Sequence, residues 1–270
     1  WHQCLTDDLL SYGFQVNLRD PCVFHMRKDG KLIINLCIYV DDFLISAKEQ
    51  VYIDQLLEFL KLKYGKVTVQ SEKIINYVGM TIDTSQKNIL CISMTNMVES
   101  ILKEVKNSGK VKYPAKENLF NVDNDSQPLD EEASKFFHSM VAKLLYLAKN
   151  FRADILLPVT FLTTRVSNPT VEDSVKLDQI LLYLYKTKGM VQSFEVNGNK
   201  DIECYIDSSH AVHNQKLSHG GMIIKVVGVN VSIKSWKLKM NTKSSTESEL
   251  MALSDSMGDI NFVADLIYSM

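Results

Sequence analysis

The sequence predicts an α+β fold, because strand-like and helix-like patterns occur in separate blocks rather than in regular alternation. Two hairpins come early, the first with turn residues at Lys28–Gly30 and the second ending in FLISA at residue 47. Helical periodicity then dominates residues 131–186. Strand patterns return from about Phe194, before a last helix that begins near Ser244. A chain of 270 residues with this order is expected to form more than one domain.

Shorter elements fill the first part of the chain. Leu5, Leu9 and Tyr12 have helical spacing, and that helix is expected to end near Gly13. Further segments follow in order: a helix over residues 49–63, short strands around Lys66–Val69, Ile74–Ile82 and Asn88–Ile92, and a helix from about Thr95.

Composition excludes several classes of protein. Hydrophobic residues make up 46% of the chain, enough for a packed core, and the net charge of −2 gives no overall signature of nucleic-acid binding. The five cysteines are scattered and form no C-x-x-C motif, which favours reduced thiols in the cytosol or nucleus. Neither a signal peptide nor an apolar run of about 18 residues is visible, so we expect no membrane segment.

The stretch CIYVDDFLIS contains two adjacent aspartates, Asp41 and Asp42, within an otherwise apolar run. The preceding strand, Leu32–Val40, is apolar at nearly every position, as in a strand buried on both faces. Aspartates favour tight turns through hydrogen bonds between side chain and backbone. Paired carboxylates at a strand end also suit Mg²⁺, which prefers hard oxygen ligands. The residue types alone leave both interpretations open.

A second candidate lies in ECYIDSSHAVH, where Asp207 follows a predicted strand. A strand that ends in an Asx-type turn explains this aspartate equally well. His210 and His213 are three residues apart in a predicted loop, and we expect both to face solvent or substrate rather than to bind metal.

The third candidate is NTKSSTESELMALSD, at the start of the last helix. Ser244 and Glu247 have the spacing of a capping box, so a structural role accounts for Glu247. Glu249 is next to Leu250 and Met251, and we expect it near the buried side of the helix, where a carboxylate needs a partner or a metal.

Two lysine-rich stretches could follow a phosphate backbone, although an ordinary solvated surface is the alternative. The second stretch lies beside Trp236 and includes the substrate-binding candidates Lys237 and Lys239. The lysines of the first stretch are Lys103, Lys106, Lys110, Lys112 and Lys116, and those of the second are Lys234, Lys237, Lys239 and Lys243.

In their order, these motifs resemble the polymerase–ribonuclease H part of copia-type retrotransposon polyproteins. WHQCLTDDLLSYGF, DPCVF and IYVDDFLIS follow the order of the reverse transcriptase palm, and NYVGMTID resembles the strand pair after it. FHSMVAKLLYLAKNFRADILLPVTFLTTRVSNPT resembles the helical region that follows, including an R-x-D-I string. YIDSSHAVHNQKLSHGG and TKSSTESELMALSD resemble the opening strand and first helix of ribonuclease H, so the resemblance spans essentially all 270 residues.

The resemblance implies roles in the palm for four residues. Asp41 and Asp42 match the paired metal-binding aspartates. Tyr39 and Val40 match the residues that lie close to the primer end and the incoming nucleotide.

In ribonuclease H, the resemblance implies that Asp207 is the first catalytic carboxylate and that Glu249 is the helix carboxylate sharing its metal. The implied chemistry at both sites is phosphoryl transfer assisted by a pair of Mg²⁺ ions. Nucleotides are added at the first site, and the RNA strand of an RNA–DNA hybrid is hydrolysed at the second.

Three domains are implied: residues 1–92 as the C-terminal part of the palm, 93–192 as a mostly helical thumb or connection, and 193–270 as the N-terminal part of a ribonuclease H-like domain with a mixed sheet. The third palm aspartate is expected before Trp1, and the remaining ribonuclease H ligand beyond Met270. We therefore expect both two-metal sites to be incomplete and the isolated chain to be inactive. The alternative is a non-enzymatic remnant or a domesticated nucleic-acid-binding protein.

The expected partner is an RNA–DNA hybrid or a template–primer, together with a deoxynucleoside triphosphate if the polymerase site is completed. The expected location is the cytoplasm or nucleus, or a virus-like particle if the chain is part of an active element. The sequence leaves the oligomeric state open.

Overall fold

A computed structural model describes residues 1–104, 109, 111–195 and 201–269; Lys106 and Lys110 of the first lysine-rich stretch lie outside the described residues. The helices found there are α1 (His2–Tyr12), α2 (Gln50–Tyr64), α3 (Thr95–Lys103), α4 (Glu131–Asn150), α5 (Leu156–Thr163), α6 (Val171–Lys186) and α7 (Ser245–Ser269). The strands found there are β1 (Gln15–Val16), β2 (Val23–Lys28), β3 (Lys31–Tyr39), β4 (Asp42–Ala47), β5 (Ile74–Tyr77), β6 (Met80–Asp83), β7 (Ile89–Ser93), β8 (Gln192–Glu195), β9 (Ile202–Ser209), β10 (His219–Val226) and β11 (Val229–Lys237).

The chain divides into two compact units, and the first comprises Trp1–Val78 with Asp259–Met270. Its sheet is antiparallel in the order β1-β2-β3-β4. One face of β3 packs against α1 and α2, because alternate strand residues point to the same side and are apolar there. The buried residues of this core are Leu5, Leu9, Phe14, Phe24, Ile34, Leu36, Ile38, Leu56 and Leu60.

The second unit comprises Gly79–Gly258. Helices α3 to α6 form its main core, around buried residues such as Phe137, Leu144, Val159 and Leu181. Strands β6, β7 and β8 pair antiparallel in that order. A separate antiparallel sheet has the order β11-β10-β9, and Ile233 of β11 packs against the helical core.

The predicted α+β class is confirmed, with helices and antiparallel sheets in separate parts of the chain. The strand predicted at Lys66–Val69 is wrong, since the segment is irregular and Val69 is 43% exposed. Apolar alternation forms a strand only when a neighbouring strand accepts its hydrogen bonds and its apolar side chains are buried. The division into a palm, a connection and a ribonuclease H-like domain stays a prediction.

All five cysteines are free thiols. Among the helices of the described residues, none is long and apolar enough to cross a membrane.

A buried ion pair connects the ends of two helices in the second unit. Arg152, which is fully buried, donates to both carboxylate oxygens of Asp154 at 2.9 and 2.7 Å and to the hydroxyl of Thr187 at 2.7 Å. Burial alone would raise the pKa of Asp154, but the hydrogen bonds and charge of Arg152, together with a hydrogen bond from Tyr183, outweigh burial and hold this pKa below its ordinary value. Both residues belong to the R-x-D-I string, so the structure gives that motif a role in packing.

Removing this arginine leaves Asp154 without its charged partner, and we expect Arg152→Ala to lower the free energy of unfolding by about 3 kcal/mol. Lys135→Ala removes the exposed ion pair with Glu131 and is the matched control, with an expected loss below about 0.5 kcal/mol. Urea unfolding of both variants gives the two values. Equal losses would show that burial of Arg152 is not what makes the pair important.

Two histidines form a buried chain of hydrogen bonds between the sheet β9–β11 and the helical core. His213 Nε2 lies 2.8 Å from Nδ1 of His219, and His219 Nε2 lies 2.7 Å from the hydroxyl of Ser235. The rings of Phe120 and Phe161 pack against His213. The expectation that His213 faces solvent or substrate is therefore wrong, whereas His210 is exposed as expected.

These histidines predict that the protein loses stability in acid. Burial, with Lys237 near His213, lowers the pKa of His213 to about 4, and burial, with His213 as neighbour, lowers that of His219 to about 4. The unfolded chain, with histidine pKa values near 6.5, binds protons that the folded chain does not. Stability is therefore present above pH ~6.5 and falls as the pH drops toward about 4.

We expect the free energy of unfolding to fall by about 4 kcal/mol between pH 7 and pH 5, about 2 kcal/mol for each histidine, because both folded-state pKa values of about 4 lie below this range. Urea unfolding at both pH values measures this difference. In the double variant His213→Asn/His219→Gln the fall should shrink by most of that amount. An undiminished fall in the double variant would assign the acid sensitivity to other groups.

Candidate functional site

Asp41 and Asp42 lie at the tip of the hairpin that joins β3 to β4. Tyr39 pairs directly with Asp42, so Val40 and Asp41 form a two-residue loop. All four side chains are exposed, with Tyr39 at 52% and Val40 at 70%. The two aspartates therefore lie in a turn and also form an exposed pair of carboxylates, so the hairpin is compatible with both interpretations of the sequence.

The backbone of this loop is strained. Val40 has φ of +54°, in the left-handed region, whereas Asp41 is not among the residues with positive φ. This is the sign pattern of a type II′ turn, in which the first loop position favours glycine. A β-branched residue in that position costs on the order of 1–3 kcal/mol.

Two other hairpins show what this loop lacks. Asp29-Gly30 joins β2 to β3, Val227-Gly228 joins β10 to β11, and all four of these residues have positive φ. Val227 is strained as Val40 is, so a strained valine alone does not distinguish the loops. The Val40-Asp41 loop differs because it contains no glycine and is followed by a second carboxylate. Turn formation therefore does not account for its sequence.

Asp42 shares its face of the sheet with several polar groups. Its cross-strand partner Tyr39 and the neighbouring Cys37 point to the same side, which is opposite to the buried Ile38. Tyr77 of β5 lies close to this face, and its pKa is raised by burial and, to a lesser extent, by Cys37 and by the negative charge of Asp42. Tyr77 therefore lies beside this face of the sheet, whereas Asp42, at the hairpin end, is exposed to solvent.

Asp207 is exposed on β9 and lies directly opposite Gly221 of β10. Gly221 in turn pairs with Ser235 of β11. The next row of side chains points to the other face and contains Trp236, whose indole donates at 3.0 Å to Asp255 of α7. Asp207 therefore points to one face of this sheet, and Trp236 with its partner Asp255 lies on the opposite face.

Glu249 is exposed on α7, so the expectation that it lies near the buried side of the helix is wrong. The buried positions near Glu249 are the small residues Ser248, Ala252 and Ser256, spaced four apart, whereas Leu250 is 65% exposed. Small side chains let the helix pack closely, and they produce no apolar pattern that sequence periodicity would detect.

The role predicted for Glu247 is confirmed. The hydroxyl of Ser244 accepts a hydrogen bond from the backbone of Glu247 at 3.2 Å, and the carboxylate of Glu247 accepts one from the backbone of Lys243. These bonds satisfy one N–H group in the first turn of α7 and one just before the helix. Glu247 caps the helix.

Carboxylates are the right kind of ligand for Mg²⁺, but their arrangement does not fit a two-metal centre. In the part of the chain that the structure describes, no group of three or more histidine, cysteine or acidic side chains could hold a metal ion. Neither Asp41 with Asp42 nor Asp207 with Glu249 is therefore part of such a group in the described residues.

The second lysine-rich stretch begins at the end of β11 and continues into the loop before α7. Lys239 and Lys243 are exposed, and Lys237 is half-buried. Lys234 lies 5.2 Å above the ring of Trp236, but the indole is also bonded to Asp255. Lysines are thus available to a ligand here, while Trp236 already has a packing role.

Comparison with known proteins gives several relatives along the chain. A putative transposon Ty5-1 protein of Saccharomyces cerevisiae is 26% identical over 273 residues, covering 96% of this chain and 84% of that protein. The retrovirus-related Pol polyprotein from transposon RE1 of Arabidopsis thaliana is 24% identical over 277 residues. The transposon TyH3 Gag-Pol polyprotein of Saccharomyces cerevisiae is 21% identical over 286 residues. No protein-family model matches the chain.

The two polyproteins are much longer than this chain. The match covers 99% of the chain in both cases, but only 18% of the RE1 polyprotein and 16% of the TyH3 polyprotein. The relationship therefore extends through both compact units and corresponds to one segment of a polyprotein. The predicted resemblance is confirmed: this chain is homologous, over nearly its whole length, to Ty1/copia-type transposon polyproteins.

Proposed function

We propose that this chain is a segment of a retrotransposon RNA-directed DNA polymerase with ribonuclease H, and that by itself it binds nucleic acid without catalysing turnover. The first unit carries the palm hairpin with Asp41 and Asp42, and the second carries the ribonuclease H strand with Asp207. Its partner is an RNA–DNA hybrid or a template–primer, and its metal in the assembled enzyme is Mg²⁺.

The observation that carries the proposal is the hairpin loop at Val40-Asp41. The loop tolerates a strained valine, uses no glycine and presents two carboxylates to solvent. Because Val227 is strained to the same extent, the functional indication is the pair of exposed carboxylates in a loop without glycine, and paired carboxylates at a strand end suit Mg²⁺. Homology to transposon polyproteins supports the same interpretation.

Lack of turnover follows from the arrangement of ligands. Two carboxylates suffice for one Mg²⁺ together with substrate phosphates, but a metal pair needs further ligands at fixed spacing. We expect neither primer extension nor hybrid cleavage in Mg²⁺ above the level of Asp42→Ala and Asp207→Asn. If the wild-type chain forms product and either variant does not, the proposed inactivity is wrong.

A second candidate function, nucleic-acid binding without any enzymatic role, is favoured by the exposed Lys239 and Lys243. It shares the binding but requires neither carboxylate pair. We expect affinity for an RNA–DNA hybrid to fall with salt, and each substitution by alanine at these lysines to reduce the slope of log K against log[salt] by about 1. Fluorescence anisotropy from low to moderate salt measures the slope, with Lys135→Ala as the control.

Asp41, Asp42 and Asp207 distinguish the two candidates. If the hybrid lies at the hairpin and at β9, neutral substitutions of these residues change its affinity in Mg²⁺. If binding depends on the lysines alone, such substitutions leave it unchanged or strengthen it by removing negative charge.

Replacing Val40 by glycine separates stability from binding. Glycine accepts positive φ without strain, and Val40 is 70% exposed, so we expect Val40→Gly to raise the free energy of unfolding by about 1 kcal/mol. The same change removes an exposed apolar side chain at the hairpin tip, and we expect template–primer affinity to fall about fivefold, which corresponds to about 1 kcal/mol.

Val227→Gly is the matched control, since Val227 also has φ of +54° in a two-residue loop. It should leave template–primer affinity unchanged. A loss of affinity in both variants, or in neither, would contradict a binding role for Val40.

A further inference from the structure

The last part of α7 belongs to the first compact unit, and we call it the α7 end (residues 259–269). Two residues near the β1 side of the sheet bond to its last residue. Asn17 donates to the hydroxyl of Ser269 at 2.7 Å, and Arg27 of β2 donates to the backbone carbonyl of Ser269 at 3.3 Å. The α7 end is therefore bound to the four-stranded sheet of this unit.

These contacts lie on the face of the sheet that also carries Asp42. Arg27 and His25 point to the same side of β2, and His25 pairs with Asn35 of β3. Steps of two along β3 lead from Asn35 to Tyr39, which is the partner of Asp42. Asn35 and Tyr39 are about 13 Å apart along the strand. That separation is shorter than one turn of a DNA duplex, about 34 Å.

Polar atoms on this face are buried without a partner. His25 lies next to Arg27 and is only 8% exposed, so the face is covered where the α7 end bonds to Arg27. Among the described residues, none hydrogen-bonds to Nδ1 of His25 or to Oδ1 of Asn35, although both atoms are buried. A buried polar atom without a partner destabilises the arrangement that buries it. The cover over this face is therefore an imperfect fit.

The contacts that hold the α7 end are those of a surface element. Arg19 forms an ion pair with Asp265, but their side chains are 56% and 44% exposed, and exposed ion pairs contribute little. Val263 is the one apolar residue described in the α7 end that is buried, whereas Phe262 is 43% and Tyr268 is 72% exposed. Elements with few buried apolar contacts open locally at little cost in free energy.

The α7 end offers two arginines the kind of group that a nucleic-acid backbone offers. Arg19 pairs with the carboxylate of Asp265, and Arg27 donates to a carbonyl oxygen. Phosphate oxygens are acceptors of the same kind, and the arginine guanidinium suits them in charge and shape. Opening of the α7 end would therefore expose both arginines to a phosphate backbone on the face that carries Asp42.

We propose that the α7 end is an autoinhibitory segment, which occupies the sheet face beside Asp42 and must leave before a template–primer binds there. Nucleic acid and the α7 end then exclude each other from this face, so the measured affinity depends on the fraction of chains in which the segment is open. The inference rests on the proposed nucleic-acid binding and adds the element that regulates it.

Val263→Ser tests the proposal by loosening the α7 end without a change of charge. We expect template–primer affinity to rise about fivefold, because the open fraction grows. Fluorescence anisotropy at low salt without metal measures it. Leu60→Ala removes a buried side chain from the core of the same unit and is the matched control for lost stability. It should lower the melting temperature without raising the affinity; a rise equal to that of Val263→Ser would contradict the proposal.

Asp265→Asn tests the ion pair that holds the segment. The matched control is Asp8→Asn, which removes the same charge from an ion pair with Lys63 between α1 and α2. We expect affinity to rise about fivefold in Asp265→Asn and less than about twofold in Asp8→Asn, because a lost surface charge alone is screened. Equal rises would assign the effect to charge and remove the role of the segment.

Amide hydrogen exchange separates this inference from the proposed function. We expect bound template–primer to speed exchange within the α7 end of the wild-type chain, although ligands ordinarily slow exchange where they bind. If template–primer binds and exchange there is unchanged or slower, autoinhibition is wrong and the proposed function stands. If neither the wild-type chain nor Val263→Ser binds template–primer, the proposed function is wrong and the inference fails with it. Binding by Val263→Ser alone would support both.

Discussion

Strand register determines where the candidate functional side chains on the sheets of this protein point. The pairing of Tyr39 with Asp42 leaves a loop of only two residues, which brings Asp41 to the tip and keeps Ile38 in the core. The pairing of Asp207 with Gly221 places a carboxylate beside an open gap. A shift of one residue in either hairpin would exchange the two faces, burying the acid and exposing the apolar residue. Burial of the apolar face therefore fixes the position of the acids.

Buried polar groups have a different task in the second unit. Two hydrogen-bonded pairs, Arg152 with Asp154 and His213 with His219, join elements of the fold. An apolar side chain in any of these positions would leave the polar group opposite it without a hydrogen-bond partner. Both groups satisfy their hydrogen bonds internally, and each is costly if one member is lost. The R-x-D-I string and the histidine of the AVH sequence are thus explained by packing. Packing explains neither the exposed carboxylates nor Gly221, so these residues are the candidates for a functional role.

Much of this arrangement could be predicted from the sequence, and the failures have definite causes. The hairpin at Asp41-Asp42, the helices of residues 131–186 and the cap at Glu247 follow from apolar periodicity and turn chemistry. The burial of His213 could not be predicted, because its partners Phe120 and Phe161 are distant in sequence. The exposure of Glu249 could not be predicted because serine and alanine form the buried stripe in the first half of α7. Gly221 becomes informative only when the atoms around it are known.

The proposed function requires that nucleic acid binds at the exposed carboxylates of each unit, at Asp41 and Asp42 in the first and at Asp207 in the second. Titration of an RNA–DNA hybrid into the isotopically labelled chain, followed by backbone amide NMR shifts, tests this claim directly. We expect the largest shifts at Val40–Asp42, at Tyr205–Asp207 and at Gly221. Shifts confined to the exposed face of α6, with those three places unchanged, would contradict the account.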